Sequence, residues 1–319
     1  MTTYRSAGVD IDAADRAVDR IVDLAKRTFS PAVIPNPGGF AGLYSIGGGR
    51  VLVGCTDGVG TKVKLAAAAG RHYGVGIDLV AMSVNDLVVT GARPLFFLDY
   101  VAVARLRPRV LLEIVRGVAD GCRQAGCALL GGETAEMPGV YRAGEYDLAG
   151  FAVGIAERGE LLRANSVRPG DVAVALGSSG LHSNGFSLVR RAFGRRRIPR
   201  EALTPTRIYV KSILRVRRQI RVCAHITGSG IAANLERVIP RTVDVELDPW
   251  PIPPIFRAVQ RAGRIAEDEM FRVFNMGIGM IAIVPAAKAR GVVRTLKGSG
   301  ERAWIAGRVV RGRGRVRVR

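Results

Sequence analysis

The chain has 319 residues, 48% hydrophobic and 24% charged, with 48 Lys+Arg against 27 Asp+Glu and a formal net charge of +21. That length is ample for two cores, and no apolar run approaches the roughly 18 residues of a membrane span. The first twenty residues carry acids and lack the apolar core of a secretory signal, and Cys55, Cys122, Cys127 and Cys223 show neither C-x-x-C nor zinc-type spacing, so a cytoplasmic, soluble protein with free thiols is expected.

In chain order, Asp10 can cap a helix whose apolar positions Ala14, Val18, Ile21, Val22 and Ala25 recur at helical spacing to about Thr28. The stretch PAVIPNPGGFAGLYSIGGG excludes regular structure through its prolines and glycines, and reads as a mobile lid or a plain connector. Residues 51–53 then form a short buried-strand run. Gly54, Gly58 and Gly60 surround Asp57 before a helix opens at Thr61. Strand, glycine turn and helix in that order suit a phosphate, because unpaired N–H groups and the positive end of the helix dipole face it. Lys62 would add a cation and Asp57 could hold Mg²⁺. Neither a Walker A motif nor a strict G-x-G-x-x-G can be read here, and a turn that only shapes the chain would look the same.

Residues 77–92, IDLVAMSVNDLVVTGA, are apolar nearly all round and predict a buried helix. Asn85 and Asp86 interrupt it and need partners, either a divalent cation shared with Asp57 or structural hydrogen bonds. PLFFLDYVAV reads as a strand and VLLEIVRGVADGCRQAG as a helix ended by Gly126. CALLGGETAEMPG reads as a strand entering a second glycine turn with Glu133 and Glu136, and YDLAGFAVGIAE as a further strand. This alternation favours an α/β unit.

A polar segment near residues 157–171 marks a domain boundary, giving domains 1–160 and 161–319. The charge divides there: the first 160 residues hold 17 Lys+Arg and 17 Asp+Glu, the remainder 31 and 10. The basic half suggests phosphorylated partners. It carries no zinc finger, RNP motif or aromatic-interleaved strip, which argues against nucleic acid. Strand, glycine turn and helix recur in VAVALGSSGLHSNGFSLVRRAF, with His182 and Asn184 at the turn, and in AHITGSGIAANLERV, with His225 and Thr227. Each histidine is a candidate proton carrier or a structural group. The closing RVVRGRGRVRVR reads as an edge strand fraying into a basic tail.

Together, YRSAGVDIDA, GCTDGVGTK, GIDLVAMSVNDLVVTGARPLFFLDYVA, GGETAEMPGVY, YDLAGFAVG, LGSSGLHSNGFSLVR, LTPTRIYVKSIL, HITGSG and MFRVFNMGIGM resemble the phosphoribosylformylglycinamidine cyclo-ligase (AIR synthetase) family of purine biosynthesis, over nearly the whole chain. Selenophosphate synthetase, thiamine-phosphate kinase and the glutamine-dependent FGAM synthetase share the broader fold but match these stretches less well. The resemblance implies two α/β (α+β) domains, the first closing a β-barrel with its copy in a homodimer, and ATP with Mg²⁺ near that interface. It places Gly58, Gly60, Thr61, Lys62, Gly131 and Gly132 at the phosphates and Asp57, Asp86 and Glu133 at the metal. His182, His225, Asn184 and Thr227 fall on the substrate side, with Asn184 and Thr227 in reach of phosphate. The implied reaction closes the imidazole ring of formylglycinamidine ribonucleotide (FGAM) to aminoimidazole ribonucleotide (AIR), with ATP phosphorylating the formyl oxygen, Lys62 aiding charge neutralisation and His182 ahead of His225 as proton carrier. The alternatives are a small-molecule kinase of the same fold and a basic nucleic-acid-binding protein. Departures from the family pattern are Ser229 in place of a glycine, a short 193–204 segment, and Val22 in place of a lysine.

Overall fold

Two six-stranded sheets divide the chain in this computed structural model, which describes residues 3–36, 39–194 and 196–318. The first half runs α1 (Ile11–Lys26), β1 (Val33–Ile34), β2 (Gly42–Ser45), β3 (Arg50–Gly58), α2 (Lys62–Ala68), α3 (Tyr73–Val88), β4 (Arg93–Val103), α4 (Pro108–Ala125), β5 (Ala128–Glu136) and β6 (Tyr146–Glu157). Its sheet has the order β1-β2-β3-β6-β4-β5, antiparallel except for the β4–β5 pair. The second half runs β7 (Val172–Gly177), α5 (Phe186–Phe193), α6 (Val210–Val216), β8 (Val222–His225), α7 (Gly230–Glu236), β9 (Val243–Leu247), α8 (Pro254–Gly263), α9 (Glu267–Val273), β10 (Ile278–Val284), α10 (Ala286–Gly298), β11 (Ala303–Arg311) and β12 (Val316–Val318). Its order is β12-β9-β11-β7-β10-β8, with only β12–β9 parallel.

The sheets differ in what covers them. Along β6, Tyr146, Leu148, Ala152 and Ala156 are buried while Asp147, Ala149 and Phe151 are exposed, the period-two pattern of a sheet covered on one face. The buried face packs on α3, and α4 lies against α3 in turn. Their approach depends on Gly76, where a Cβ would stand 2.1 Å from the carbonyl oxygen of Ile114. The opposite face stays open, with Tyr44, Tyr100, Leu130 and Phe151 exposed. In the second sheet β10 is buried along its whole length, as expected of a strand with helices on both faces.

Several expectations change. The stretch read as a lid or connector holds β1 and β2, which pair at the sheet edge and extend it. Gly131, Gly132 and Glu133 lie within β5, paired with β4, and form no turn. Gly132 serves packing, since a Cβ there would stand 2.4 Å from the carbonyl oxygen of Asp99. Helix α1 forms with Asp10 capping it, its side chain accepting from the Ala13 N–H at 3.0 Å. Its apolar residues Val18, Ile21, Val22 and Leu24 nevertheless remain exposed. Among the described residues no helix is long and apolar enough to cross a membrane.

Candidate active site

Helix α3 joins the two halves through its polar residues. Asp78, Asn85 and Asp86 stand seven and eight positions apart, two helical turns, and so share one face. The segment 204–209 is strung along that face. Asp78 Oδ1 accepts from the Thr206 N–H at 2.7 Å and its hydroxyl at 2.6 Å. Asn85 donates to the Arg207 carbonyl at 2.8 Å and accepts from the Tyr209 N–H at 2.9 Å. The partners that Asn85 requires are therefore two backbone groups, with His225 Nε2 a further 3.4 Å contact of its amide nitrogen. Asp86 Oδ1 lies 2.7 Å from His225 Nδ1, at the end of β8.

Lys62 departs from its expected role. Its side chain is wholly buried, its ammonium 2.7 Å from Asp78 Oδ2, and it donates to the carbonyls of His182 at 3.0 Å and Thr204 at 2.9 Å. Two hydrogen bonds and one ion pair at zero exposure leave the ammonium facing protein groups and not a phosphate. Burial pulls the ammonium below its ordinary pKa, and Asp78 opposes that shift. In this structure Lys62 fastens the second half to the first and fixes the carbonyl of His182, a residue in the left-handed region at φ 59°.

Three glycine turns meet where the halves join. A Cβ on Gly60 would stand 4.0 Å from the Ser183 carbonyl, and the Thr61 hydroxyl is 3.1 Å from that of Ser187. Asn184 Oδ1 would lie 3.3 Å from a Cβ on Gly228, so the turns bearing His182 and His225 adjoin. The Thr227 hydroxyl is 3.3 Å from Asn234 Oδ1. Ser229 adopts φ 72°, a conformation in which glycine is at ease and other side chains are strained.

Asp57 closes this junction from β3. Desolvation first, and the like charge of Asp86 second, lift its carboxyl to about 6, opposed by the Gly58 N–H, which donates at 2.7 Å, and by His225. A desolvated carboxylate that lies within reach of a second acid's charge fits a divalent cation, which would relieve it. Glu133 does not join them. In register, Gly58, Ala149, Tyr100 and Glu133 form one row across four strands, placing Glu133 roughly 14 Å from Gly58 at the usual strand spacing. Accordingly, no group of three acidic, histidine or cysteine side chains able to hold a metal occurs among the described residues. Gly131 and Gly132 are equally distant, exposed on the edge strand.

The histidines differ. His182 is 1% exposed, its Nε2 accepts from the Ser179 N–H at 3.2 Å, and its Nδ1 has no partner. Burial, with His225, Lys62 and Arg207 nearby, holds its pKa well below the ordinary value, so it is neutral at physiological pH. His225 is buried too, but its partner Asp86 reaches the surface with 18% of its side chain exposed. Beside Gly60 and Thr61 opens a cavity of about 620 Å³ between α2, the start of α4 and residues 141–147. Val110, Leu111 and Ile114 give it an apolar wall, and Lys64, Arg105 and Arg107 give it charge. None of these lining residues carries a recognisable motif; Asp78, in the middle of an apolar run, was the available signal for the pairing of Lys62.

Family models describe residues 38–156 as the N-terminal domain and residues 168–319 as the C-terminal domain of AIR synthase related protein. Phosphoribosylformylglycinamidine cyclo-ligase of Trichlorobacter lovleyi is 49% identical over 329 residues, covering 96% of this chain and 94% of that protein. The cyclo-ligase of Myxococcus xanthus is 50% identical over 335 residues, covering 98% and 97%. The chain belongs to the phosphoribosylformylglycinamidine cyclo-ligase family. Among solved structures, a Thermus thermophilus protein superposes with a TM-score of 0.65 at 26% identity, covering 93% of this chain and 94% of that one. Hydrogenase maturation protein HypE in complex with ATP superposes at 0.66 and 19% identity, covering 84% and 81%, and shares the fold. For a cyclo-ligase family member, Ser229 is thus a non-glycine residue at a left-handed position of the turn beside His225.

Proposed function

We infer that the chain catalyses ATP-dependent closure of FGAM to AIR, releasing ADP and phosphate, in purine biosynthesis. The observation that carries this reading is the meeting of three glycine turns around Asp57 and Asp86, in a chain that belongs to the cyclo-ligase family over nearly its full length. An amide oxygen is a poor leaving group. Transfer of the γ-phosphoryl group of ATP to the formyl oxygen of FGAM makes it a good one. The nitrogen then attacks the formyl carbon and phosphate departs with that oxygen. Such a reaction asks the protein for positioning and charge neutralisation.

The backbone N–H groups of Gly60 and Thr61 are assigned to the phosphates, with Asn184 and Thr227 as their partners from the second half, and the adjoining cavity has the size and apolar wall for adenosine. Asp57 and Asp86 would hold Mg²⁺, which when bound neutralises charge on the transferring group. Proton handling falls to His225, which Asp86 Oδ1 orients through Nδ1, in preference to His182, which is sealed and neutral. Lys62 acts as a positioning residue through His182 and Thr204. The open face bearing Tyr44, Tyr100, Leu130 and Phe151 supports a homodimer in which a second copy covers it and brings Gly131, Gly132 and Glu133 into a shared site. Work in the cytoplasm accords with free thiols. ADP release measured with and without FGAM tests the reading; release that needs no FGAM, or that thiamine monophosphate supports equally, would place the chain among the small-molecule kinases of this fold.

A further inference from the structure

Behind the junction, on the connector between the two sheets, lies a second cleft of about 540 Å³. Arg158 and Arg163 line it from the connector, and Arg217, Arg218 and Arg221 from the segment between α6 and β8. Glu160 is the one acid in its wall and pairs with both Arg217 and Arg218. Arg221 meets Asp171 at 3.2 Å. That leaves Arg158 and Arg163 without an acid partner among the described residues, and Arg217 Nε buried with no hydrogen-bond partner. Leu161, Leu162 and Ile220 supply an apolar floor. An excess of arginines is expected on any surface of so basic a chain. What distinguishes this group is concavity: five guanidinium groups line one cleft with a single acid in its wall, so like charges outnumber their counter-charge there. An anion offsets that excess, and planar guanidinium donors match phosphate oxygens in geometry.

We propose that this cleft is a binding site for a phosphate-bearing small anion, separate from the ring-closing centre. Separation follows from β8: Arg221 adjoins its first residue and His225 is its last, about 13 Å apart at the usual strand rise. The site does not depend on the cyclisation chemistry.

The test is calorimetric titration of pyrophosphate into the full chain after its nucleotide site has been saturated with Mg²⁺ and a non-hydrolysable ATP analogue. One further site is expected, weakened by about tenfold or more in Arg158→Gln/Arg163→Gln, the loss of two charge-assisted contacts, while affinity for the analogue is kept. The control is Arg290→Gln/Arg294→Gln, which removes the same charge from exposed positions on α10. Absence of binding in the saturated wild type overturns the proposal, as does equal weakening by the control pair, which would reveal unspecific attraction to net charge. Inorganic phosphate and AMP, titrated in the same way, separate a simple anion from a nucleotide that also uses the apolar floor; either order of affinity sustains the site.

Discussion

Replacing Lys62 by methionine discriminates between two roles that the sequence alone leaves equivalent. With both side chains at 0% exposure, Lys62→Met leaves Asp78 buried, stripped of its counter-charge on Oδ2 and held only by Thr206. Breaking a buried pair from one side costs about 3–5 kcal/mol. The carbonyls of His182 and Thr204 also lose their donor. At about 2–4 °C per kcal/mol, the scale for domains of this size, melting should fall by roughly 6–20 °C. Lys62→Met/Asp78→Asn should recover much of the loss, because the introduced asparagine keeps an acceptor for Thr206 and leaves no buried charge. The assay is thermal unfolding of the two single variants and the double, alongside titration with Mg²⁺-ATP below the lowest melting range. An unchanged melting temperature in Lys62→Met with nucleotide affinity lost would refute the reasoning and return Lys62 to the phosphates.

Metal-free Asp57→Asn should be more stable than wild type at pH 7.5 by about 1–3 kcal/mol, the scale of a two-unit shift at a partly exposed group. The carboxyl titrates near 6 when folded and near 4 when unfolded, so the penalty is absent below about pH 4, grows as pH rises, and is complete above about 6; chemical denaturation across that range checks it, and a variant less stable at pH 7.5 counts against the desolvated-acid reading. His225→Gln should lower turnover by about 10²–10⁴ fold with ATP binding retained, and His182→Asn, whose asparagine tolerates the left-handed backbone, should lower it far less; the opposite order in single-turnover kinetics would restore His182 as proton carrier. Phe151→Glu should yield monomers by sedimentation velocity, since it places a charge in the open sheet face, and an unaltered dimer would locate the interface elsewhere.

How far the sequence reveals this molecule varies by element. Helices α1, α3 and α4 and the strand–turn–helix units around His182 and His225 are visible because periodicity and glycine placement are local signals. The need of Asn85 and Asp86 for partners was equally visible, but their partners lie more than 120 positions away, at Arg207, Tyr209 and His225, and no local pattern identifies them. Lys62 misleads because a lysine after a glycine turn reads the same whether it meets phosphate or an aspartate. Only Asp78, sixteen residues on and itself needing a counter-charge, discriminates. Gly131 and Gly132 mislead for a different reason: glycine marks close approach as well as turns, and Gly132 is pressed against Asp99 inside a strand. The exposed apolar residues of α1 and of the first sheet follow the expected periodicities, yet a single chain leaves them uncovered.

The central claim, that ATP is spent on turning the formyl oxygen of FGAM into a leaving group, is tested most directly by oxygen tracing. FGAM labelled with ¹⁸O at the formyl position should yield one labelled oxygen in each phosphate released, in step with ADP and AIR. Unlabelled phosphate, with the label recovered in water, would contradict it.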